Sequence, residues 1–464
     1  MREESTPPTK LPSPTEGKKV ILILSAGMGG GHDVAATQLS RLLRDSGYDA
    51  PVVDLLNLMR FGYGRFIASV YHAQLRFAPW SYKVIYSLWK RHPGLVKAAN
   101  GTDTRMARRN LLDQVSLTRP IAIVSTYNLA SQVLGELVAD GSLDVPVYSF
   151  VTDFGVHPYW IHDLIDGYLA VHQSSSRLIR ELSDAPIAVC GPLVRPEFLH
   201  PNFIQAENVD AEFVRPAVNS GLAARCRQEA AIRSVSPTPS TVRAATRASL
   251  GLGDTDTVAL VVAGAWGTGE VERSVEDLRG IGGCVPVVVC GNNHRLASRL
   301  RRRTRDQRQI VDYTNSMPTL MAASDILVEN AGGMTCFEAF ASGLPVATYR
   351  PLPAHGTDNA HAMNTAGVST FAHDVGELAP AVHRLTNDGA ARSAQIAEAH
   401  AVISADPIAE ILGLIDPTSP LSGEDGKGRQ SRCDSTGRRR PSQVSRRFHP
   451  RTHGAGGRGW ASRS

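Results

Sequence analysis

The run Ile326–Asn359, ILVENAGGMTCFEAFASGLPVATYRPLPAHGTDN, constrains the fold more than any other stretch. Ile326-Leu327-Val328 is a short apolar run of the kind buried on both faces of a parallel sheet. Asn330-Ala331-Gly332-Gly333 turns the chain, and Met334 to Ser342 reads as a helix that stops at Gly343, ahead of Pro345. Strand, glycine pair and helix together set free backbone N–H groups and a positive helix end before an anion. After the next strand, Leu344 to Tyr349, the loop Pro351–Asn359 carries His355, Asp358 and Asn359. A second unit of the same kind opens the chain. Val20–Leu24 (VILIL) is an apolar strand, and a glycine loop leads into a helix with Ala35, Leu39, Leu42 and Leu43 at helical spacing. In a chain of 464 residues, two such units predict two α/β domains, each with its own core.

Further strand candidates lie at Val52–Asp54, Ile121–Ser125, Val147–Thr152, Gly167–His172 and Ala188–Cys190, with Leu129–Ala139 the clearest helix among them. The second half offers Val258–Val262, Val285–Cys290 and Ile310–Val311. Between the halves, Asn202 to Arg247 is rich in Ala, Arg, Ser and Pro and has no sustained periodicity, as an interdomain insertion would. Ala391–Ser404 reads as a closing helix, and Asp406-Pro407 as the cap and first residue of a last one ending near Ile415. The expected domains are therefore 19–200 and 248–390, with an insertion over 201–247 and closing helices over 391–416. Residues 1–18 and the Ser/Arg/Gly tail over 417–464 are expected to be disordered.

The net charge of +5 is local, because residues 421–464 hold 11 Lys and Arg against 3 acids, leaving about −3 elsewhere. That argues against a nucleic-acid footprint on the folded part. Six scattered cysteines form no CxxC pair or zinc spacing and fit a reducing compartment. The N-terminus lacks the charge–apolar–small layout of a signal peptide, and no apolar run approaches the roughly 18–20 residues that span a bilayer. One segment is unusual. No Asp or Glu occurs from Leu55 to Thr102, and nine aromatics fall within Phe61–Trp89, Trp80 and Trp89 among them. Arg60, Arg65, Arg76, Lys83, Lys90 and Arg91 are interspersed. Rings at headgroup depth and cations against anionic lipid suit a bilayer interface. A helical subdomain with an aromatic core is the other reading of the same residues.

Several separate strings resemble glycosyltransferase family 28, which includes monogalactosyldiacylglycerol synthases and bacterial diacylglycerol glucosyltransferases. Ser-Ala-x-x-Gly-x-Gly-His, ending in Gly31 and His32, is similar to the opening of the synthases' N-terminal domain. VTDFGVHPYW matches the family's VTD…HPxW pattern at Asp153, His157 and Trp160, and CGPLVRPEF its end-of-domain signature. Tyr127-Asn128 departs from a more usual His-Pro. The resemblance covers roughly 19–200 and 248–390 and implies the GT-B architecture, two Rossmann-like domains facing a cleft.

In that family the Gly-Gly loop and helix N-terminus bind the UDP pyrophosphate, the helix glutamate binds ribose, and the following loop binds the hexose. The matching positions are Gly332, Gly333, Met334, Thr335, Glu338 and Asn359. His355-Gly356 replaces the Gln-Glu or Gln-Asp of many relatives, which leaves the hexose open. Gly264, Trp266, Gly267, Asn292, Tyr313 and Met317 complete the expected donor side, the last two in a string resembling the uracil-facing loop.

The resemblance implies inverting transfer of a hexose from a UDP-hexose to the hydroxyl of a diacylglycerol-type lipid at an anionic membrane surface. No cofactor, metal or nucleic-acid partner is expected; the enzyme would be cytoplasmic and peripheral on the inner face of the cell membrane. The base must sit at the cleft with a pKa near 7, and His32 suits this by type and position. Asp153 is the alternative base or the group that orients the imidazole, and His157 is third. Gly31, Trp80, Trp89 and Trp160 fall on the acceptor or membrane side. A UDP-sugar 2-epimerase of the same fold and a non-catalytic nucleotide-sugar or lipid-binding protein are the rival readings.

Overall fold

The computed structural model describes residues 17–28, 30–78, 80, 81, 84, 85, 88, 93–199, 239–403 and 406–421. Residues 1–16, 29, 79, 82, 83, 86, 87, 89–92, 200–238, 404, 405 and 422–464 lie outside the described residues, and with them Trp89, Lys83, Lys90 and Arg91 of the aromatic and basic segment and most of the 201–247 insertion.

The first domain runs β1 (Ile21–Ser25), α1 (Gly31–Asp45), β2 (Val52–Asp54), α2 (Leu55–Leu58), α3 (Tyr63–Phe77), α4 (Pro93–Thr118), β3 (Ala122–Ser125), α5 (Asn128–Ala139), β4 (Val147–Val151), β5 (Gly167–Ala170), α6 (Gln173–Leu182), β6 (Ile187–Val189) and α7 (Pro196–Leu199). Its six strands are all parallel in the order β2-β1-β3-β4-β5-β6. Strands β1, β3, β4 and β5 are buried at every residue, which is why they read as continuous apolar runs instead of alternating ones. Helix α1 lays Ala35, Ala36, Leu39 and Leu43 against this sheet; full burial of each leucine is worth roughly 1.5–3 kcal/mol.

The second domain runs α8 (Pro239–Ser249), β7 (Thr257–Val262), α9 (Val271–Arg279), β8 (Cys284–Val289), α10 (His294–Arg303), β9 (Ile310–Val311), α11 (Met317–Ala323), β10 (Ile326–Glu329), α12 (Met334–Ala341), β11 (Val346–Tyr349), α13 (His355–Thr365), β12 (Thr370–Ala372), α14 (Val375–Asn387), α15 (Gly389–Val402) and α16 (Pro407–Ile415). Its parallel order is β12-β11-β10-β7-β8-β9. In each sheet the strand order reverses beside the first strand, between β1 and β3 and between β7 and β10. Open α/β sheets bind ligands at the carboxyl ends of strands at such a point.

The structure departs from the sequence reading in three places. Helix α8 lies within the stretch read as insertion. Pro239 opens it, and Arg243 ties it to the second domain through the Ala322 and Ser324 carbonyls, both at 2.9 Å, and Asp325. Its apolar face is too short to give a period. Residues 355–359, read as loop, are the start of α13, which forms beyond Pro351 and Pro353 once Ala354 takes a left-handed φ of 68°. The last helix, α16, crosses back to pack on β6, and residues 416–421 continue as turns instead of opening a tail. Asp416 there accepts from Lys19 Nζ at 2.7 Å and from the Tyr48 hydroxyl at 2.9 Å.

Candidate active site

His32 occupies the first-domain reversal point. It comes after the glycine loop at the end of β1, where Gly30 takes a φ of 88° that only glycine adopts freely. Its Nδ1 stands 2.9 Å from Thr126 O, just past β3, and 3.3 Å from the Thr152 hydroxyl, just past β4. A carbonyl oxygen only accepts, so Nδ1 carries the proton and the neutral ring leaves the Nε2 lone pair to accept one. The ring packs edge-on to Tyr127 at 4.9 Å and near Trp160 at 6.1 Å. Burial lowers its pKa below the ordinary 6.5, with the Asp153 charge opposing. Sequence reasoning passed over Tyr127 except as a departure from pattern, and Thr126 carries no motif.

Asp153 and Trp160 meet: Trp160 Nε1 donates to Asp153 Oδ2 at 2.9 Å. The other carboxylate oxygen accepts from Asn359 Nδ2 of the second domain at 3.3 Å. His157 sits apart in role. Its Nδ1 accepts from Tyr159 N–H at 3.0 Å and caps a short 3₁₀ turn, Pro158–Trp160. His355, on the same face of α13 as Asn359, feels the charges of Asp153, His32 and Asp358, while burial lowers its pKa. His32, Asp153 and the α13 pair His355 and Asn359 therefore gather from three stretches of chain.

The second-domain reversal point holds the Gly-Gly loop. A carboxylate that the sequence reading left unremarked organises it. Buried Glu329, the last residue of β10, accepts from Ala331 N–H at 2.7 Å and Gly332 N–H at 2.6 Å through Oε2, and from Thr348 Oγ1 at 2.6 Å through Oε1. Those two amides are thus committed within the loop instead of facing an anion. The amides of Gly333, Met334 and Thr335, at the start of α12, have no backbone acceptor within the helix, as at any helix start. Gly31 faces this helix end closely: a Cβ there would stand 3.6 Å from Met334 Cγ.

Glu338 is buried one turn further along α12. Arg195, on the segment leaving the first domain, donates to its Oε1 from Nε at 3.2 Å and Nη2 at 3.0 Å. Burial raises the Glu338 pKa and Arg195 opposes the rise.

The remaining expected donor residues are spread more widely. Asn330 Nδ2 donates to Thr268 O at 3.0 Å, joining the loop after β7 to the Gly-Gly loop. Gly264 lies in that loop, and Gly267 has a φ of 58° in a spot where a Cβ would meet Cys290 O at 2.4 Å. Asn292 N–H donates to Ala265 O at 2.9 Å. Trp266 faces the first domain, with ring centroids 4.9 Å from His72 and 6.0 Å from Tyr71 of α3. Tyr313 is exposed, and Met317 is buried at the start of α11.

Helix α3 has apolar residues on two faces. Tyr63, Ile67 and Tyr71 pack inward, while Phe66, Val70 and Phe77 point out. Phe61 is 86% exposed, Trp80 70%, and Val84, Ile85 and Leu88 are exposed as well. Beneath α3, Asn100 donates to Gln132 Oε1 at 2.9 Å and accepts from the Tyr159 hydroxyl at 2.7 Å. Asp103 is buried beside them, and desolvation pushes its carboxyl up to about 6. Among the described residues no helix is long and apolar enough to cross a membrane.

The model of the monogalactosyldiacylglycerol synthase family matches residues 32–194, and that of the glycosyltransferase family 28 C-terminal domain matches residues 283–403, together more than half of the chain. A processive diacylglycerol β-glucosyltransferase of Bacillus pumilus is 25% identical over 381 residues, covering 80% of this chain and 87% of that protein. One of Bacillus cereus is 23% identical over 374 residues, covering 79% and 86%. Among solved structures, a spinosyn rhamnosyltransferase complexed with spinosyn aglycone superposes with a TM-score of 0.50 at 14% identity, over 84% of this chain and 98% of that one. That likeness bears on the fold, two parallel sheets facing a cleft.

Proposed function

We propose, from the premise that this chain belongs to glycosyltransferase family 28 and is a hexosyltransferase of GT-B fold, that it moves a hexose from a UDP-sugar to the hydroxyl of a diacylglycerol-type lipid with inversion at the anomeric carbon. The observation that carries the reading is His32. Its Nδ1–H is fixed on Thr126 O, its Nε2 is left basic, and its neighbour Gly31 abuts the amide end of α12.

In the proposed step, Nε2 takes the acceptor hydroxyl proton as that oxygen attacks the anomeric carbon. The bond from that carbon to the diphosphate oxygen breaks, and UDP leaves with the electron pair. The imidazolium formed is stabilised by the nearby Asp153 carboxylate. Charge growing on the diphosphate meets the first-turn amides of α12, a preorganised donor set and not a metal in this reading. Glu338 reads the ribose hydroxyls, for which Arg195 gives up part of its hold.

The likeness to the Bacillus enzymes supports a diacylglycerol-type acceptor. The outward face of α3, with Trp80 beyond its end, would meet the membrane that holds it. Phe66, Val70, Phe77 and Trp80 would enter the headgroup boundary of a membrane, with Arg60 and Arg65 against anionic lipid. Incubation with radiolabelled UDP-glucose, UDP-galactose and UDP-N-acetylglucosamine, with diacylglycerol in anionic vesicles and then lipid extraction, tests the whole reading. Label in a glycolipid is the expected result. Sugar epimer formed without acceptor, or UDP bound with no transfer to any lipid, would overturn it.

A further inference from the structure

Asn359 is 1% exposed and bonds to both domains at once. Its Oδ1 accepts from Gly155 N–H at 2.8 Å, and its Nδ2 donates to Asp153 Oδ1 at 3.3 Å and to Ala331 O at 3.2 Å. Asp153 and Gly155 lie on the loop after β4 in the first domain. Ala331 lies on the Gly-Gly loop of the second. The two domains' backbones approach so closely here that Gly155 accepts no Cβ: one would meet the Asp358 carbonyl carbon at 2.7 Å. Within the second domain Asn359 is pressed as closely on the Gly-Gly loop, where a Cβ on Gly332 would meet Asn359 Cβ at 2.5 Å. A carboxamide offers an acceptor and two donors in one plane, which a carboxylate of the same shape does not.

We propose that Asn359 is a cross-domain positioning residue, which sets Asp153 against the His32 base only when the second domain is closed on the first. The proposal rests on the reading of His32 as base and goes beyond it, because it takes Asn359 off the hexose. One oxygen of Asp153 is held from its own domain by Trp160, and the other is held from the opposite domain by Asn359. The same amide grips the carbonyl of the loop that would carry the donor's phosphates. Opening the cleft removes this partner and leaves the carboxylate with a single donor. Proton transfer is thereby tied to the presence of the donor-binding domain.

Asn359→Asp keeps an acceptor for Gly155 N–H, loses both donors and sets a second carboxylate against Asp153. The charged or titratable groups facing His32 are Asp33 on α1, Asp153, Tyr127 and His355. Added negative charge among them favours the imidazolium, so the acid limb of the kcat profile moves to higher pH. The expected loss in kcat is about a hundredfold, the scale of a misplaced catalytic group. The ratio of UDP-hexose to UDP affinity stays at the wild-type value. Gly155→Ala strikes the same contact from the other domain and covers the case in which the first variant misfolds. It is expected to lower kcat with UDP-hexose affinity unchanged.

A residue that held the hexose directly would give the opposite split, a lost preference for UDP-hexose with the acid limb in place. That result overturns the proposal, as does wild-type kcat in folded Gly155→Ala. His32→Ala separates the layers. If it keeps turnover and the limb, the base reading itself falls. If it abolishes turnover while both other variants leave kcat and the limb untouched, only the role of Asn359 falls.

Discussion

Burial draws the His32 pKa below its ordinary 6.5, and Asp153, the Thr126 carbonyl and Asp33 pull against it. A base works once deprotonated, so kcat/KM is expected to rise along a limb centred below 6.5 and to stay level through neutrality. The pH profile on a fixed UDP-sugar measures this, and a limb centred above 6.5 would refute it. Asp103 is raised to about 6, so the folded state holds a proton that the unfolded chain releases near 3.8. Stability therefore falls as pH rises from about 4 to about 6 and remains lower above. That displacement of the carboxyl is worth ~3 kcal/mol. Asp103→Asn is expected to raise the melting temperature at pH 7.5, by at most that free energy, and to change little at pH 4; an equal effect at both pH values would exclude a buried-charge cost. His32 was legible because a string of residues around it marks it. Glu329 and Asp103 were not. One reads as the end of a strand and the other as a helix residue, and their burial comes from partners distant in sequence, Thr348 and Tyr63.

Elements buried on both faces, such as β1 and β10, were the easiest to read, because burial erases alternation and leaves plain apolar runs. Helix α3 shows the limit of that logic. Its composition fitted both an aromatic core and a lipid interface, and it has a face of each kind: Tyr63, Ile67 and Tyr71 inward, Phe66, Val70 and Phe77 outward. Only the three-dimensional neighbours separate the two sets. If the outward set enters a bilayer, Phe66→Ser, Phe77→Ser and Trp80→Ser together are expected to release the protein from anionic vesicles. Arg60→Ser with Arg65→Ser is expected to weaken binding by roughly 1 kcal/mol per cation, more visibly at low salt. Co-sedimentation measures both, and equal pelleting of variants and wild type would remove α3 as the membrane contact. Helices α8 and α13 were misread for a local reason. Prolines stand at or just before the start of each, and the turns beyond them hold too few apolar residues to announce a helix.

Across the whole folded region, the two sheets share one continuous inner core, in which Phe154 of the first domain meets Phe337 of the second at 5.9 Å. Two domains were legible in the repeated strand–loop–helix units, and so was the last helix. That α16 belongs to the first sheet was not, because an apolar stripe does not say which surface it covers. Ile411, Leu412, Leu414 and Ile415 are all buried there, and Asp416 is held by Lys19 and Tyr48. Deleting residues 406–464 is expected to lower the melting temperature sharply, since each of those aliphatic side chains contributes roughly 1.5–3 kcal/mol. Deleting 422–464 alone is expected to leave it unchanged, and differential scanning calorimetry distinguishes the outcomes. The crossing also sets an order of events during translation. Strand β6 emerges from the ribosome some 220 residues ahead of the helix that covers it, roughly ten to forty seconds at about 5–20 residues per second. For that interval the nascent first domain shows an apolar surface, so chaperone occupancy of ribosome-bound chains is expected to persist until α16 has been made.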